Sequence, residues 1–246
     1  MYLNAIDINA DLGEGIGNEA QLMPLISSCN IACGGHAGDE HVMRKVIKLA
    51  KQHCVKIGAH PSFPDTENFG RVPMDMPCVA LFKSIESQIN TLIDVLKEER
   101  AILHHVKPHG ALYNMAAKDE RIATIIIEVM KSMQLPVNLY VPYKSVIADI
   151  AIQNKIPITY EAFADRNYND DLTLVSRKLE DAVLEDEDAV FQHVFKMISE
   201  GKVKTITGKD VNIEAQTFCV HGDNPKAIGL LNRLKSTLES KGISIR

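Results

Sequence analysis

Short apolar runs alternate along the chain with longer segments in which apolar residues recur at helical spacing. The short runs predict strands, because they are rich in Ile, Val and Ala and are bounded by glycine, proline and charged residues. Strands are predicted at residues 5–10, 29–33, 55–59, 101–106, 137–141, 157–161 and 217–221. The longer segments predict helices near residues 38–54, 79–100, 119–133, 144–154, 186–200 and 225–240.

This order of strands and helices predicts a parallel sheet that is covered by helices. About seven strand and helix units follow one another without an obvious linker, which favours a TIM-like (β/α) barrel. We expect one domain over residues 1–246, a length that suits a single barrel. A doubly wound open sheet is the structural alternative.

Composition narrows the chemistry of the core and the class of partner. Hydrophobic residues make up 46% of the chain, but aromatic residues make up only 5% and Trp is absent, so aliphatic side chains must fill the core. The formal net charge of -5 argues against a protein that binds the phosphate backbone of nucleic acids. A local basic pocket for a small anion is still compatible with this charge.

Three features predict a cytoplasmic protein. The N-terminal stretch MYLNAIDINADLGEG has no basic leader and is typical of a strand, not of a signal peptide. No run of about 18 apolar residues predicts a membrane span. The five cysteines are scattered without CxxC pairs, as expected of reduced thiols.

Polar residues follow nearly every predicted strand. In chain order they are Asn9, Asp11 and Glu14; His36 and Asp39; His60, Asp65 and Arg71; Lys107 and His109; Glu161, Asp165 and Arg166; and His221 and Asp223. Because the carboxyl ends of parallel barrel strands lie on the same face, we expect these residues to converge on one polar pocket. His41, His53, His104, His105 and His193 lie inside helix or strand patterns and are interpreted as structural.

Several interpretations of these residues stay open at this point. Asp11, His36 and His60 form a set that can bind a divalent metal, although no HxH or HxxxH spacing makes this specific. Arg71 and Arg166 either bind an anionic ligand or hold an internal carboxylate. The chain has no GxxxxGK[ST] phosphate loop, no GxGxxG motif and no GxSxG nucleophile elbow.

Six blocks at these strand ends resemble the signature blocks of one family. They are DINADLGEG, NIACGGHAGD, IGAHPSFPD with FGR, VKPHGALYN, EAFADRNY and CVHGD. Together they resemble the LamB/YcsF family over nearly the whole chain. The resemblance implies a seven-stranded β/α barrel of the glycoside hydrolase/deacetylase type. It also implies ATP-dependent opening of the lactam 5-oxoproline to L-glutamate, in a complex with 5-oxoprolinase subunits B and C.

The implied reaction suggests roles for the strand-end residues. Lys107 and His109 are expected to stabilise the developing anion. Asp11, Glu161 or His60 is the expected base that delivers water. Arg71 or Arg166 is expected to bind the substrate carboxylate. The remaining residues line the substrate pocket or hold a metal, namely Asn9, Glu14, His36, His221 and Asp223, and ATP is expected to enter with Mg²⁺.

Two other functions are compatible with the same residues. One is a metal-dependent deacetylase or amidohydrolase that acts on a small amide or sugar without ATP. The other is a non-catalytic subunit that presents 5-oxoproline to its partners. The chain also departs from the family pattern at Gly35, at Ser62 with Phe63 and at Val72, which affects the shape of the pocket but removes no candidate catalytic group.

Overall fold

The predicted apolar runs form the wall of a closed barrel. In the computed structural model, which describes residues 5–246, seven parallel strands pair in the order β1, β2, β3, β4, β5, β6 and β9, and β9 pairs again with β1. The strands are β1 (Ala5–Leu12), β2 (Ser28–Ala32), β3 (Lys56–His60), β4 (His105–Val106), β5 (Asn138–Pro142), β6 (Ile158–Phe163) and β9 (Thr217–Val220). The predicted TIM-like barrel is therefore confirmed, and the open sheet is excluded.

Helices cover the outside of this wall. They are α1 (Glu19–Leu22), which continues into a 3-10 turn (Met23–Leu25), α2 (Glu40–Gln52), α3 (Cys78–Glu98), α4 (Gly110–Ala116), α5 (Glu120–Ser132), α6 (Val146–Gln153), α7 (Glu187–Glu200) and α8 (Ala227–Ser240). The side chains of Asp39, Asp119, Ser145 and Asp186 accept hydrogen bonds from backbone N–H groups at four helix starts. Among residues 5–246, no helix is both long and apolar enough to cross a membrane.

The strands alternate between an apolar outer side and a polar inner side. In β1 the buried Ile6 and Ile8 belong to the aliphatic core under the helices. Asn9 and Asp11 instead hydrogen-bond across the barrel, to partners on β6 and β2. This period of two is the ordinary side-chain alternation of a strand, so β1 separates two chemically different buried regions.

Four segments differ from the sequence prediction. The strand predicted at residues 101–106 is limited to His105–Val106. The first backbone hydrogen bond from this segment to β3 is donated by the N–H of His104 to the carbonyl of Ile57. Helix α4 follows directly after β4 and was not expected. An antiparallel hairpin of β7 (Lys202–Lys204) and β8 (Asp210–Asn212), and the short strand β10 (Ser244–Ile245) beside β1, were also not predicted. These pieces are too short to show a period, since α4 has 7 residues, β7 and β8 have 3 each and β10 has 2.

The segment between β6 and α7, residues 164–186, covers part of the carboxyl end of the barrel. Two isolated antiparallel bridges fold it back on itself, Arg166 with Val183 and Tyr168 with Leu174. We call residues 164–186 the covering segment. Its inner side contributes residues to both cavities described below.

Candidate active site

A cavity of about 420 Å³ opens at the carboxyl end of the barrel. Five of the sequence-predicted residues line it from four different strand ends, namely Asp11, His60, Lys107, His109 and His221. Arg71 and Arg166 also line it, together with Arg177 and Lys178 from the covering segment. The expected convergence on one face is therefore present, and the lining is strongly cationic.

Lys107 lies at the floor of this cavity and holds two carboxylates. Its Nζ is 3.0 Å from Oδ1 of Asp11, 3.0 Å from Oε1 of Glu161 and 3.0 Å from Sγ of Cys219. Oδ1 of Asn9 is a fourth acceptor at 3.3 Å. An ammonium group has three N–H donors, so these four neighbours use its whole donor capacity.

The charges in this group fix its protonation. Burial alone would lower the pKa of Lys107, but Asp11, Cys219 and Glu161 carry it well above the ordinary value. Burial likewise tends to raise the pKa of Asp11, but His60 and Lys107 outweigh it and hold that pKa well below the ordinary value. Burial raises the pKa of the Cys219 thiol well above its usual range. Asp11 is therefore a carboxylate and Lys107 an ammonium ion at neutral pH.

Below Lys107, a layer of amides and one imidazole packs the barrel interior. Nδ2 of Asn30 donates to Oδ1 of Asn9 at 2.7 Å and to Oδ1 of Asp11 at 2.8 Å. Nε2 of His105 lies 2.7 Å from Oδ1 of Asn30, and its ring stacks on Tyr140 with the centroids 4.0 Å apart. This placement agrees with the interpretation of His105 as a structural residue.

A single glycine makes room for the His105 ring. A Cβ atom at Gly58 would overlap the imidazole, so β3 needs a residue without a side chain at this point.

Three histidines and one glutamate form a second buried group beside Asp11. The possible ligand atoms of Glu14, His36, His60 and His109 all lie within 4.8 Å of one another. Oδ2 of Asp11 lies 3.4 Å from Nε2 of His60 but is not part of this group. Compared with the set expected from sequence (Asp11, His36 and His60), the structure adds Glu14 and His109 and ties Asp11 to Lys107.

Asp165 and His221 form a dyad at the ends of β6 and β9. Oδ1 of Asp165 lies 2.8 Å from Nδ1 of His221, and the His221 ring stacks on Phe163 with the centroids 5.3 Å apart. Burial tends to raise the pKa of Asp165, but its contacts with His221 and Asn224 lower it below the ordinary value. Sequence reasoning placed Asp165 among the strand-end residues of the pocket but assigned it no specific chemical role. Asp165 follows β6, and His221 follows β9, which pairs with β6 in the barrel. The order of the strands therefore brings these two residues together.

The two arginines with open interpretations have different partners. Nη2 of Arg71 donates to Oδ2 of Asp223 at 2.6 Å, so these two predicted pocket residues are paired with each other. Arg166 donates through Nε to the carbonyl of Ala182 and through Nη2 to the carbonyl of Val175. Arg71 thus holds a carboxylate, whereas Arg166 holds the covering segment in place.

A second cavity of about 440 Å³ adjoins the first. Five residues line both, namely Tyr113, Asn114, Phe163, Leu174 and Ser176. Glu161 lines only the second cavity. Its Oε2 atom is buried and has no hydrogen bond of good geometry. The nearby Glu161 carboxylate also contributes to raising the pKa of Tyr113. Burial is the larger cause of that shift. The rest of the lining mixes aromatic and aliphatic side chains, such as Tyr143 and Leu172, with charged ones, namely Lys118, Lys144 and Asp171.

Two departures from the family pattern meet at one place behind the site. The amide of Gln88 accepts from the backbone N–H of Ser62 at 2.9 Å and donates to the carbonyl of Ser62 at 2.8 Å. A Cβ atom at Gly35 would overlap the same amide. Gln88 therefore fills the space that a larger residue at position 35 would need.

Comparison with known proteins agrees with the resemblance of the sequence blocks. A model of the LamB/YcsF family matches residues 6–246. The chain is 42% identical over 249 residues to the A subunit of 5-oxoprolinase from Shouchella clausii (strain KSM-K16), covering 99% of this chain and 98% of that protein. It is 41% identical over 243 residues to the protein of the same name from Histophilus somni (strain 129Pt), with the same coverage of both chains.

Solved structures support the fold in the same way. The lactam utilization protein from Thermus thermophilus superposes with a TM-score of 0.92 at 34% identity, covering 98% of this chain and 99% of that chain. A GH113 beta-1,4-mannanase superposes with a TM-score of 0.54 at 12% identity, covering 97% and 99% of the two chains. The second similarity concerns the barrel fold alone.

Proposed function

This chain belongs to the LamB/YcsF family, and we propose that it is the lactam-opening subunit of an ATP-dependent 5-oxoprolinase. The proposed reaction converts 5-oxoproline to L-glutamate while ATP is hydrolysed to ADP and phosphate, with Mg²⁺ accompanying the nucleotide. 5-Oxoprolinase subunits B and C are the proposed partners. The names of the relatives support this proposal, since they describe one subunit of a 5-oxoprolinase and a protein of lactam utilization.

One observation carries the proposal. The ionised carboxylate of Asp11 and the imidazole of His221, which the carboxylate of Asp165 holds, line the same cavity. Opening a lactam requires water at the carbonyl carbon and a proton for the departing nitrogen. Asp11, which Lys107 and His60 keep ionised, orients the attacking water. His221 carries the proton for the nitrogen, and Asp165 holds the ring in position.

ATP is needed because an amide carbonyl is a poor electrophile. Transfer of the γ-phosphoryl group to the lactam oxygen forms a P–O bond and releases ADP. Water then adds to the same carbon, and the C–N bond breaks to give an acyl phosphate and a free amine. A second water releases phosphate and leaves L-glutamate, so two waters are consumed for each ATP.

The proposed roles of Lys107 and the arginines follow from their contacts. All donors of Lys107 are used within the barrel, so Lys107 positions Asp11 and Glu161 and does not contact the lactam oxygen. The anionic reactants instead meet the cationic lining, where Arg177 and Lys178 come from the covering segment. The adjoining cavity, whose lining includes Tyr143 and Tyr168, gives the nucleoside separate space.

The test is turnover by the full chain together with both partner subunits. L-Glutamate and phosphate release from 5-oxoproline are measured with and without ATP, for the wild type and for His221→Gln. We expect turnover only with ATP and a loss of about 100-fold or more in His221→Gln, as for removal of a general acid. His53→Gln, at an exposed position directly after α2, is the matched control. Equal turnover of the two variants contradicts the proposed role of His221.

A second candidate function, a metal-dependent amidohydrolase that needs no ATP, is favoured by the group of Glu14, His36, His60 and His109. It predicts release of product from a small amide in the absence of ATP and of partners. Ring opening that depends strictly on ATP rejects it. The third function, a subunit that only presents 5-oxoproline, predicts that His221→Gln within the complete complex keeps full turnover.

A further inference from the structure

His60 and His109 have a conflict of hydrogen-bond donors and acceptors. Nδ1 of His60 lies 2.7 Å from the carbonyl oxygen of Lys107, and Nε2 of His109 lies 2.9 Å from the carbonyl oxygen of Phe69. A carbonyl oxygen can only accept, so each of these nitrogens carries a hydrogen. In neutral rings, Nε2 of His60 and Nδ1 of His109 therefore present lone pairs to each other, and they are 2.9 Å apart.

A carboxylate adds a third acceptor at the same point. Oε1 of Glu14 lies 3.5 Å from Nδ1 of His109 and 4.0 Å from Nε2 of His60. Nε2 of His36 lies 2.9 Å from the same oxygen and orients it, while Nδ1 of His36 is buried without a partner among the described residues. When both rings are neutral, three electron-pair donors thus converge in a buried place, and none of these three atoms offers a hydrogen to the other two.

The structure assigns a divalent transition-metal site to Glu14, His60 and His109, with His36 as the residue that positions Glu14. Imidazole nitrogen and carboxylate oxygen together are the ligands of zinc and related ions. Each imidazole has its other nitrogen fixed by a backbone carbonyl, which is the arrangement that orients histidine ligands in metal sites. The ligands come from the ends of β1, β3 and β4, which are independent supports.

The spacing of the three atoms suits one ion. With metal–ligand distances of about 2.0 to 2.2 Å and tetrahedral angles, ligand atoms are about 3.3 Å apart. The three observed separations, 2.9, 3.5 and 4.0 Å, scatter about that value. Asp11, with Oδ2 at 3.4 Å from Nε2 of His60, lies next to the proposed ion as a neighbouring anion.

This site is independent of the proposed function, because it concerns the isolated chain and requires neither ATP nor a partner. The test is direct binding of Co²⁺ and Zn²⁺ to the full-length chain after chelator treatment. We expect one equivalent of Co²⁺ with visible d–d absorption, displacement by Zn²⁺, and a rise in Tm on binding. Glu14→Gln and His109→Asn should each lose affinity by at least about 10-fold.

His221→Gln is the matched control, because His221 lines the same cavity but lies outside the proposed ligand set. It should bind Co²⁺ as the wild type does. A folded wild-type chain that binds neither ion overturns the site and indicates a shared proton between the two rings. Equal loss of binding in His221→Gln and His109→Asn also overturns it. Failure of ATP-coupled turnover leaves this binding result unaffected, so the two proposals fail separately.

Discussion

The inside of the barrel wall and the layer outside it are equally buried but chemically opposite. Ile8 and Asn9 are neighbours on β1, and both are 0% exposed. Ile8 belongs to the aliphatic layer under the helices, whereas Asn9 bonds Glu161 and Thr217 inside the barrel. The outer layer stabilises the fold through area removed from water, and the inner one holds the candidate catalytic groups in fixed positions.

Substitutions in the outer layer and in the interior act through different physical causes. Leu81, Ile85, Ile89 and Leu92 of α3 are all fully buried, and none has a polar partner to satisfy. In the interior every change of a polar side chain leaves another group without its partner. Mutations that compare the two regions should therefore separate stability from activity.

The largest effect is expected from Lys107→Met. Removing the ammonium leaves Asp11 and Glu161 as buried carboxylates without their cation, so the free energy of unfolding should fall by about 3 to 5 kcal/mol. Chemical denaturation at neutral pH measures this loss. Lys209→Met removes an exposed partner of Asp170 and should change stability by less than about 1 kcal/mol. Similar results for the two variants would contradict the proposed positioning role.

Leu92→Ala should lower the free energy of unfolding by about 2 to 5 kcal/mol through loss of buried area and formation of a cavity. Its turnover per folded molecule in the reconstituted complex should stay near that of the wild type. If the variant is fully folded and still loses most of its turnover, the outer layer also controls the geometry of the site.

His193 should make the stability depend on pH. This residue of α7 is half-buried, its ring stacks on Tyr168, and the burial of the imidazole lowers its pKa to about 4 in the folded chain. The ordinary pKa near 6.5 applies to the unfolded chain, so the unfolded state takes up the proton first as the pH falls. Stability should be complete above about pH 6.5 and should fall by up to about 3 kcal/mol toward pH 4.

The control for this pH dependence is His193→Phe. Denaturant midpoints are compared for the wild type and His193→Phe at several pH values between 4 and 7. The difference between the two curves isolates the contribution of His193 from those of the other histidines. Parallel curves for the two proteins would rule out His193 as a source of the pH dependence.

The smallest effect is expected for the ion pair of Arg71 and Asp223 at the cavity rim. The Arg71 side chain is 34% exposed, so solvent screens the pair although the two atoms are 2.6 Å apart. A double-mutant cycle with Arg71→Met and Asp223→Asn should give a coupling energy below about 1 kcal/mol. A much larger coupling would place this pair with the buried interior group.

The barrel and the face that carries the site were predictable from the sequence for a simple reason. Periods of two and of 3.6 residues are local properties, and a parallel barrel brings all carboxyl strand ends to one side. The signature blocks at those ends also identified the family. The short elements β7, β8, β10 and α4 escaped prediction because they are too short to show a period, and β10 is ordered only by its pairing with the distant β1.

The sequence by itself determined the fold class, the family and part of the set of residues that line the cavity. Only the tertiary structure decided how those residues pair: Lys107 with Asp11 and Glu161, His221 with Asp165, and Arg71 with Asp223. These partners are far apart in the chain, and the order of strands in the barrel sets which side chains meet. A side chain's charge state and free donors depend on those neighbours, so its chemical role became assignable only when the barrel was closed.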